Sequence, residues 1–184
     1  MDLLDEVGDK LEDTLNAEGR HPAHVTLGIV VCIGVVAATA LLASRAEPGE
    51  FQRSVEKHSD AERGVLSQIW PTLFSLTTLA AVRIWNAPHS PARTRALALW
   101  GLGQVFHGAW LMISPRRRAL QVAGGVTTAA LTAAYAQQAR RVDLKAGGMV
   151  APMAGMAIAN LFTGELWRQT KPDRVAVAGR TARR

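Results

Sequence analysis

His107 stands in a stretch, residues 96–115, that holds no Lys, Arg, Asp or Glu. On a helix it shares a face with Trp100, Gln104 and Leu111, all within about 60° of one another, and Gly103 and Trp110 flank them. The opposite side presents Gly101, Val105, Gly108 and Met112. An imidazole in such apolar surroundings either packs as a hydrogen-bonded residue, its commoner use, or contacts a ligand or metal. Indole faces stack on flat rings, and a side-chain amide supplies hydrogen bonds. Two further uncharged stretches carry comparable faces: Trp70, Phe74, Thr77 and Ala81 in one, and Met149, Met153, Met156 and Asn160 in the other. Each has a plainer use as well. Tryptophans line membrane interfaces, methionines fill irregular gaps, and a lone Asn bonds a neighbouring helix.

The chemistry these residues support is binding. The uncharged stretches contain no carboxylate, so paired acid–base groups are absent from them, and the chain has no nucleophile elbow, phosphate loop or Cys/His metal cluster. The same lack of charge argues against an ion-coupled pump. Cys32 is the sole cysteine, which excludes an intramolecular disulfide. No cofactor is required by any motif. The high pI comes without a basic face interleaved with aromatics, so nucleic acid is not an expected partner.

The elements that must position these residues follow from where charge is missing. All 21 Lys and Arg and all 15 Asp and Glu avoid five windows, residues 21–44, 64–82, 96–115, 119–139 and 146–164. Each window is 19–24 residues long, and a bilayer core needs roughly 20 at helical rise. A soluble chain of 184 residues cannot bury five helices on all sides. The expected fold is therefore all-α, an integral membrane bundle of five transmembrane helices over residues 21–167. Residues 1–20 precede it as an acidic segment, either a frayed surface piece (favoured) or a short amphipathic helix through Leu3, Leu4, Val7, Leu11 and Leu15. Their seven acids against Lys10 and Arg20 do not suit a signal peptide. A basic tail, residues 168–184, follows and is expected to lie disordered beside an anionic leaflet. Thirteen Lys and Arg fall on one side of the five windows and eight on the other. The richer side, with Arg116-Arg117-Arg118 in a very short loop, is expected to be cytoplasmic. That puts the N-terminus outside and the C-terminus inside, in the inner cell membrane.

Two stretches resemble the translocator protein family, also called tryptophan-rich sensory proteins or peripheral benzodiazepine receptors. Trp70-Pro71-Thr72-Leu73-Phe74 through Leu79-Ala80-Ala81-Val82-Arg83 is similar to the family's second helix, with its Trp, its aromatic and its closing Ala-Ala-x-Arg. His107-Gly108-Ala109-Trp110 stands where the family has Asn-x-x-Trp. Asp143-Leu144-Lys145-Ala146-Gly147 with Pro152 is similar to the family's Asp-x-x-Ala-Gly-x-x-x-x-Pro. The resemblance covers roughly residues 26–170. Departures are His107 for an Asn, Met156 for an aromatic, Asn160 for a small residue, Gly164 for an Asn, and a charged first loop in place of a Trp- and Pro-rich one.

The resemblance implies a receptor or carrier for a flat hydrophobic ligand, a porphyrin or haem, or else a sterol or isoprenoid. The ligand-binding residues it points to are Trp70, Phe74, Gln104, His107, Trp110, Met153, Met156 and Asn160. It also implies a homodimer, for which Gly101 and Gly108 would supply a small-residue face. The rival readings are an accessory membrane subunit with no small ligand and, less favoured, a membrane enzyme acting on tetrapyrroles.

Overall fold

The computed structural model describes residues 3–45, 60–113 and 118–169, and among these the chain is entirely helical. A short helix, α1 (Leu3–Leu15), precedes five long ones: α2 (Pro22–Arg45), α3 (Asp60–Asn86), α4 (Pro91–Ile113), α5 (Arg118–Val142) and α6 (Leu144–Gln169). Each long helix covers all or nearly all of one uncharged window: α3, α5 and α6 contain theirs and run past it into charged termini, α2 starts one residue inside its window, and α4 ends two residues short of its window's end. The tail from 170 onward and most of the first loop lie outside the described residues.

The five long helices close a ring in the order α2–α3–α6–α5–α4, and α3 also touches α4 and α5 across it. The short connections dictate the antiparallel neighbours. Asp143 alone separates α5 from α6, and its carboxylate accepts the Lys145 backbone N–H at 2.9 Å, an N-cap. Ser90 caps α4 in the same way, its hydroxyl accepting from the Arg93 N–H at 3.1 Å, and Pro91 takes the first helical position.

Small residues set how closely the helices approach. Ala80, Ala81, Ala96, Ala139 and Ala146 are fully buried, around Ile84, Tyr135, Val150 and Cys32. This core sits toward the end of the bundle that carries α1. Glycines cut slots where no side chain would fit. A Cβ on Gly28 of α2 would fall 2.4 Å from the Trp85 ring, and one on Gly124 of α5 would fall 2.2 Å from the Trp110 ring. A Cβ on Gly147 would meet the Arg140 Cβ at 2.6 Å and its Cα at 2.7 Å, so the α5–α6 hairpin closes on this glycine.

Of the described helices, only α2 is long and apolar enough by itself to cross a membrane, over Pro22–Leu42. Its Leu27, Val30, Ile33 and Leu41 point away from the protein. The apolar run of α6, Leu144–Ala159, is shorter. The uncharged stretches of α3 to α6 lose hydropathy to Thr, Gln, Gly and Ala. α5 shows this most, with Gln121, Thr127, Thr128, Thr132, Gln137 and Gln138 in one helix.

The N-terminal segment is helical and tied to the bundle, not frayed. α1 ends in a Schellman-type turn, with Asn16 at φ 53° and the Ala17 N–H bonded to the Glu12 carbonyl at 2.9 Å. The Arg83 guanidinium donates to the carbonyls of Asp13 and Thr14, the latter at 2.8 Å, and Asn86 donates to that of Leu15 at 2.9 Å. These bonds satisfy carbonyls that a helix C-terminus leaves open.

Candidate functional site

A cleft opens between α3, α4, α5 and α6 at mid-bundle, beyond the alanine-rich core. Phe74 and Thr77 of α3 form one wall. The face of α4 from Leu99 to His107 forms the second, with Trp100, Gly103, Gln104 and Phe106 between them. Thr128, Leu131, Thr132 and Tyr135 of α5 form the third, and Met153 of α6 closes it. The free volume is about 70 Å³. One water needs roughly 10–15 Å³ on this measure, so the cleft has room for about five. No Lys, Arg, Asp or Glu lines the cleft.

The polar groups of the cleft fall into two sets. Hydroxyls are already engaged: Thr128 donates to the Gly124 carbonyl at 2.9 Å, Thr132 to that of Thr128 at 2.8 Å, Thr77 to that of Phe74 at 2.9 Å, and Tyr135 across helices to that of Thr77 at 3.3 Å. The nitrogen-bearing side chains of α4 are not. The Trp100 Nε1 is buried without a hydrogen-bond partner. Gln104 and His107 have none among the described residues, although the His107 ring leans on Phe74 with centroids 5.6 Å apart.

Four of the residues expected from sequence meet in this cleft: Phe74, Gln104, His107 and Met153. Trp110 and Met156 are not among its lining residues. Trp110 lies in the Gly124 slot of α5 and stacks on Phe106, centroids 5.7 Å apart. The side chains of Trp70 and Asn160 lie outside the described residues. The wall supplied by α5 was missed. Thr128, Thr132 and Tyr135 recur at spacings of four and three, one face of a helix, which is the signal that would have found them. Gly108 is buried and faces Thr39 of α2, 3.6 Å from where its Cβ would stand, whereas Gly101 has open space around it.

A second polar cluster lies at the α1 end. The Arg83 Nε donates to the Asp143 Oδ2 at 2.6 Å, joining the Ala-Ala-x-Arg segment of α3 to the Asp-x-x-Ala-Gly segment of α6. Lys145 reaches both carboxylate oxygens of Asp13, at 2.7 and 2.8 Å. Arg93 closes the α3–α4 turn, donating to the Trp85 carbonyl at 2.6 Å and to that of Ile84 at 3.1 Å, with His89 Nδ1 2.7 Å away. Its guanidinium lies 5.8 Å from the Trp85 ring, which stacks on His24 of α2. The cluster ties α1, α2, α3, α4 and α6 together at one level, below which the cleft begins.

A closed ring of five helices with an uncharged, aromatic-walled cleft inside is a helical bundle with an internal cavity. Its two sequence signatures also converge in space, on the Arg83–Asp143 pair. The chain belongs to the TspO/MBR family, whose model matches residues 26–168, more than three quarters of its length. No curated protein and no solved structure matches it. Family membership supports a membrane protein with a receptor- or transporter-like role.

Proposed function

We propose that this chain is a five-helix membrane receptor or carrier that binds a flat hydrophobic ligand of the porphyrin or haem class at the mid-bundle cleft. Sterols and isoprenoids are the next candidates. The observation that carries this reading is the cleft itself: aromatic walls, no charge, and side-chain nitrogens left unpaired on α4. Leaving a polar group buried and unpaired costs a few kcal/mol. A bound molecule that satisfies it recovers that cost, and it would bias the helix arrangement that a partner reads. The action is binding, with no step of covalent chemistry.

The membrane placement rests on the five uncharged stretches, the outward apolar face of α2 and the family. The Lys and Arg count puts the N-terminus outside and the C-terminus in the cytoplasm of an inner cell membrane. A C-terminal reporter is then active only inside, and one at residue 2 only outside. Assembly as a homodimer would use the outer face of α4, where Gly101 has open space and Leu102, Val105 and Met112 are exposed. Gly101→Leu should shift the solubilised protein toward monomer without unfolding it, and an unchanged dimer would remove this face from the interface.

Titration of the purified protein with a porphyrin, read by absorbance and fluorescence, tests the ligand. Saturable binding that weakens about tenfold in His107→Ala is expected. With an iron porphyrin, a change of the absorption spectrum in that variant would add an axial contact. Absence of binding by folded wild-type protein would favour an accessory subunit without a small ligand.

A further inference from the structure

Resting on the ligand-binding reading above, we infer that the cleft recognises a neutral carbonyl oxygen on an otherwise apolar molecule, with Trp100 and Gln104 as the specificity-determining residues. Both are enclosed, Trp100 at 7% exposure and Gln104 at 9%, one turn apart on α4 and on the same cleft wall. The Trp100 Nε1 is buried without a partner, and the Gln104 amide has none among the described residues. An indole N–H is only a donor and an amide NH₂ offers two more, so one acceptor oxygen can serve both residues, while the Gln104 Oε1 turns to water. No acceptor among the described residues lies within hydrogen-bond distance of the Trp100 Nε1. The cleft's hydroxyl groups are turned to helix carbonyls, and those carbonyls are engaged in turn.

Charge and size narrow the acceptor. No cationic side chain lines the cleft, so an ionised carboxylate would be desolvated without compensation. A ketone, ester or protonated carboxyl oxygen carries no such cost. The free volume of about 70 Å³ is far below the several hundred Å³ of a pocket that encloses a whole drug-sized ligand. It suits a short side arm. The arm enters the cleft with its carbonyl on the α4 donors, displacing water, and the flat body remains at the mouth against the aromatic walls.

Three porphyrins that share one ring and differ only in two arms test this: mesoporphyrin IX dimethyl ester, free mesoporphyrin IX, and etioporphyrin, which has ethyl groups in place of the propionates. They are titrated into the purified full chain in neutral detergent micelles. The ester should bind about tenfold more tightly than etioporphyrin, and the free acid no more tightly than the ester. Trp100→Phe keeps the ring and loses the N–H, so it should shrink the ester's advantage over etioporphyrin, and adding Gln104→Met should remove it. In the wild type the Trp100 indole N–H proton resonance should lie further downfield with the ester than with etioporphyrin, which exerts the same ring current. That measurement needs no variant. Equal affinity of wild type for ester and etioporphyrin, tighter binding of the acid than the ester, or an ester preference undiminished in Trp100→Phe and in the double variant with Gln104→Met would each overturn the inference and leave porphyrin binding standing. Binding of none of the three would overturn the inference and the functional reading together.

Discussion

At the α1 end of the bundle the Arg83 guanidinium shares its donors between the Asp143 carboxylate and the last carbonyls of α1, while in the cleft Trp100 and Gln104 hold theirs with no acceptor in reach. Both regions are built on the same helices. Phe74 and Arg83 are both on α3, and Arg93 and Gln104 are both on α4. The difference lies in what surrounds the polar atoms. At the α1 end, charged side chains meet helix termini, where unsatisfied carbonyls are concentrated. At mid-bundle, helix carbonyls accept from threonine and tyrosine hydroxyls, and the remaining side chains face one another across free space. A polar group placed at a helix end finds a partner in the protein, whereas one placed at mid-helix beside a cleft must find it in a water or a ligand. The first arrangement serves stability, and the second leaves its donors free for a water or a ligand. The separation is not absolute, since the Asn86 Oδ1 at the α1 end is also without a partner.

The largest expected effect breaks the α1 end. Arg83 is buried and Asp143 only 15% exposed, so Arg83→Leu strands a carboxylate and releases the α1 carbonyls. Removing one partner of such a pair costs about 3–5 kcal/mol. Gln104→Met, which removes an amide that has no partner, should change stability by less than about 1 kcal/mol in either direction. Denaturation of both variants in the same detergent checks the contrast. Similar losses in the two would mean that the cleft is as much a structural element as the α1 end.

A smaller effect is expected where the two segments of the α5–α6 hairpin touch. Gly147→Ala drives a methyl group against the Arg140 backbone, 2.7 Å from its Cα, and should cost about 1–3 kcal/mol. Gly101→Ala, with nothing within 4 Å, should be neutral or slightly stabilising because alanine is the better helix former. Equal melting temperatures would show that the hairpin adjusts freely at Gly147, and would remove close approach as the reason for a glycine there.

Much of this contrast was legible in the residues, though unevenly. Missing charge located all five long helices, because a desolvated helix excludes Lys and Asp whatever its packing. Arg83 and Asp143 could be picked out as motif residues, but their pairing could not, since it depends on the ring order that brings α3 beside α6. One face of α4 was readable from its period. Trp110 was misplaced because it lies about 60° round the helix from His107, a direction that sequence alone leaves open to either neighbour. The missing side chain at Gly124 decided it, by opening a slot on α5. Thr128 and Thr132 escaped notice because a helical threonine commonly bonds back to its own helix, as both do here, and so advertises no site. α1 looked ready to fray because its apolar stripe is short, and Val7 and Leu11 are indeed 54% and 57% exposed. What holds it is the capping by Arg83 and Asn86 from 67 or more residues away.

The smallest effect concerns the exposed ion pair that accompanies this capping. Lys145 bonds to the Asp13 carboxylate and holds its pKa below the ordinary value of 3.8, first by the hydrogen bond and then by its charge, with Arg83 adding a little. A carboxylate whose folded pKa is depressed stabilises the folded form above its unfolded pKa, and the gain is lost as pH falls through the folded value. The window is therefore below about pH 4, and the pair should contribute a constant amount from pH 5 to 7. Both partners are well exposed, so salt should screen the contribution. Asp13→Asn removes the charge but leaves the backbone carbonyl that Arg83 holds, so α1 should stay attached. A spin label at Leu11 should be slightly more mobile in Asp13→Asn than in wild type at pH 7 and low salt. The two should converge as pH drops below 3.8 or as salt is raised. A difference that persists below pH 3 and at high salt would show that the Lys145–Asp13 pair is not what restrains α1 at Leu11.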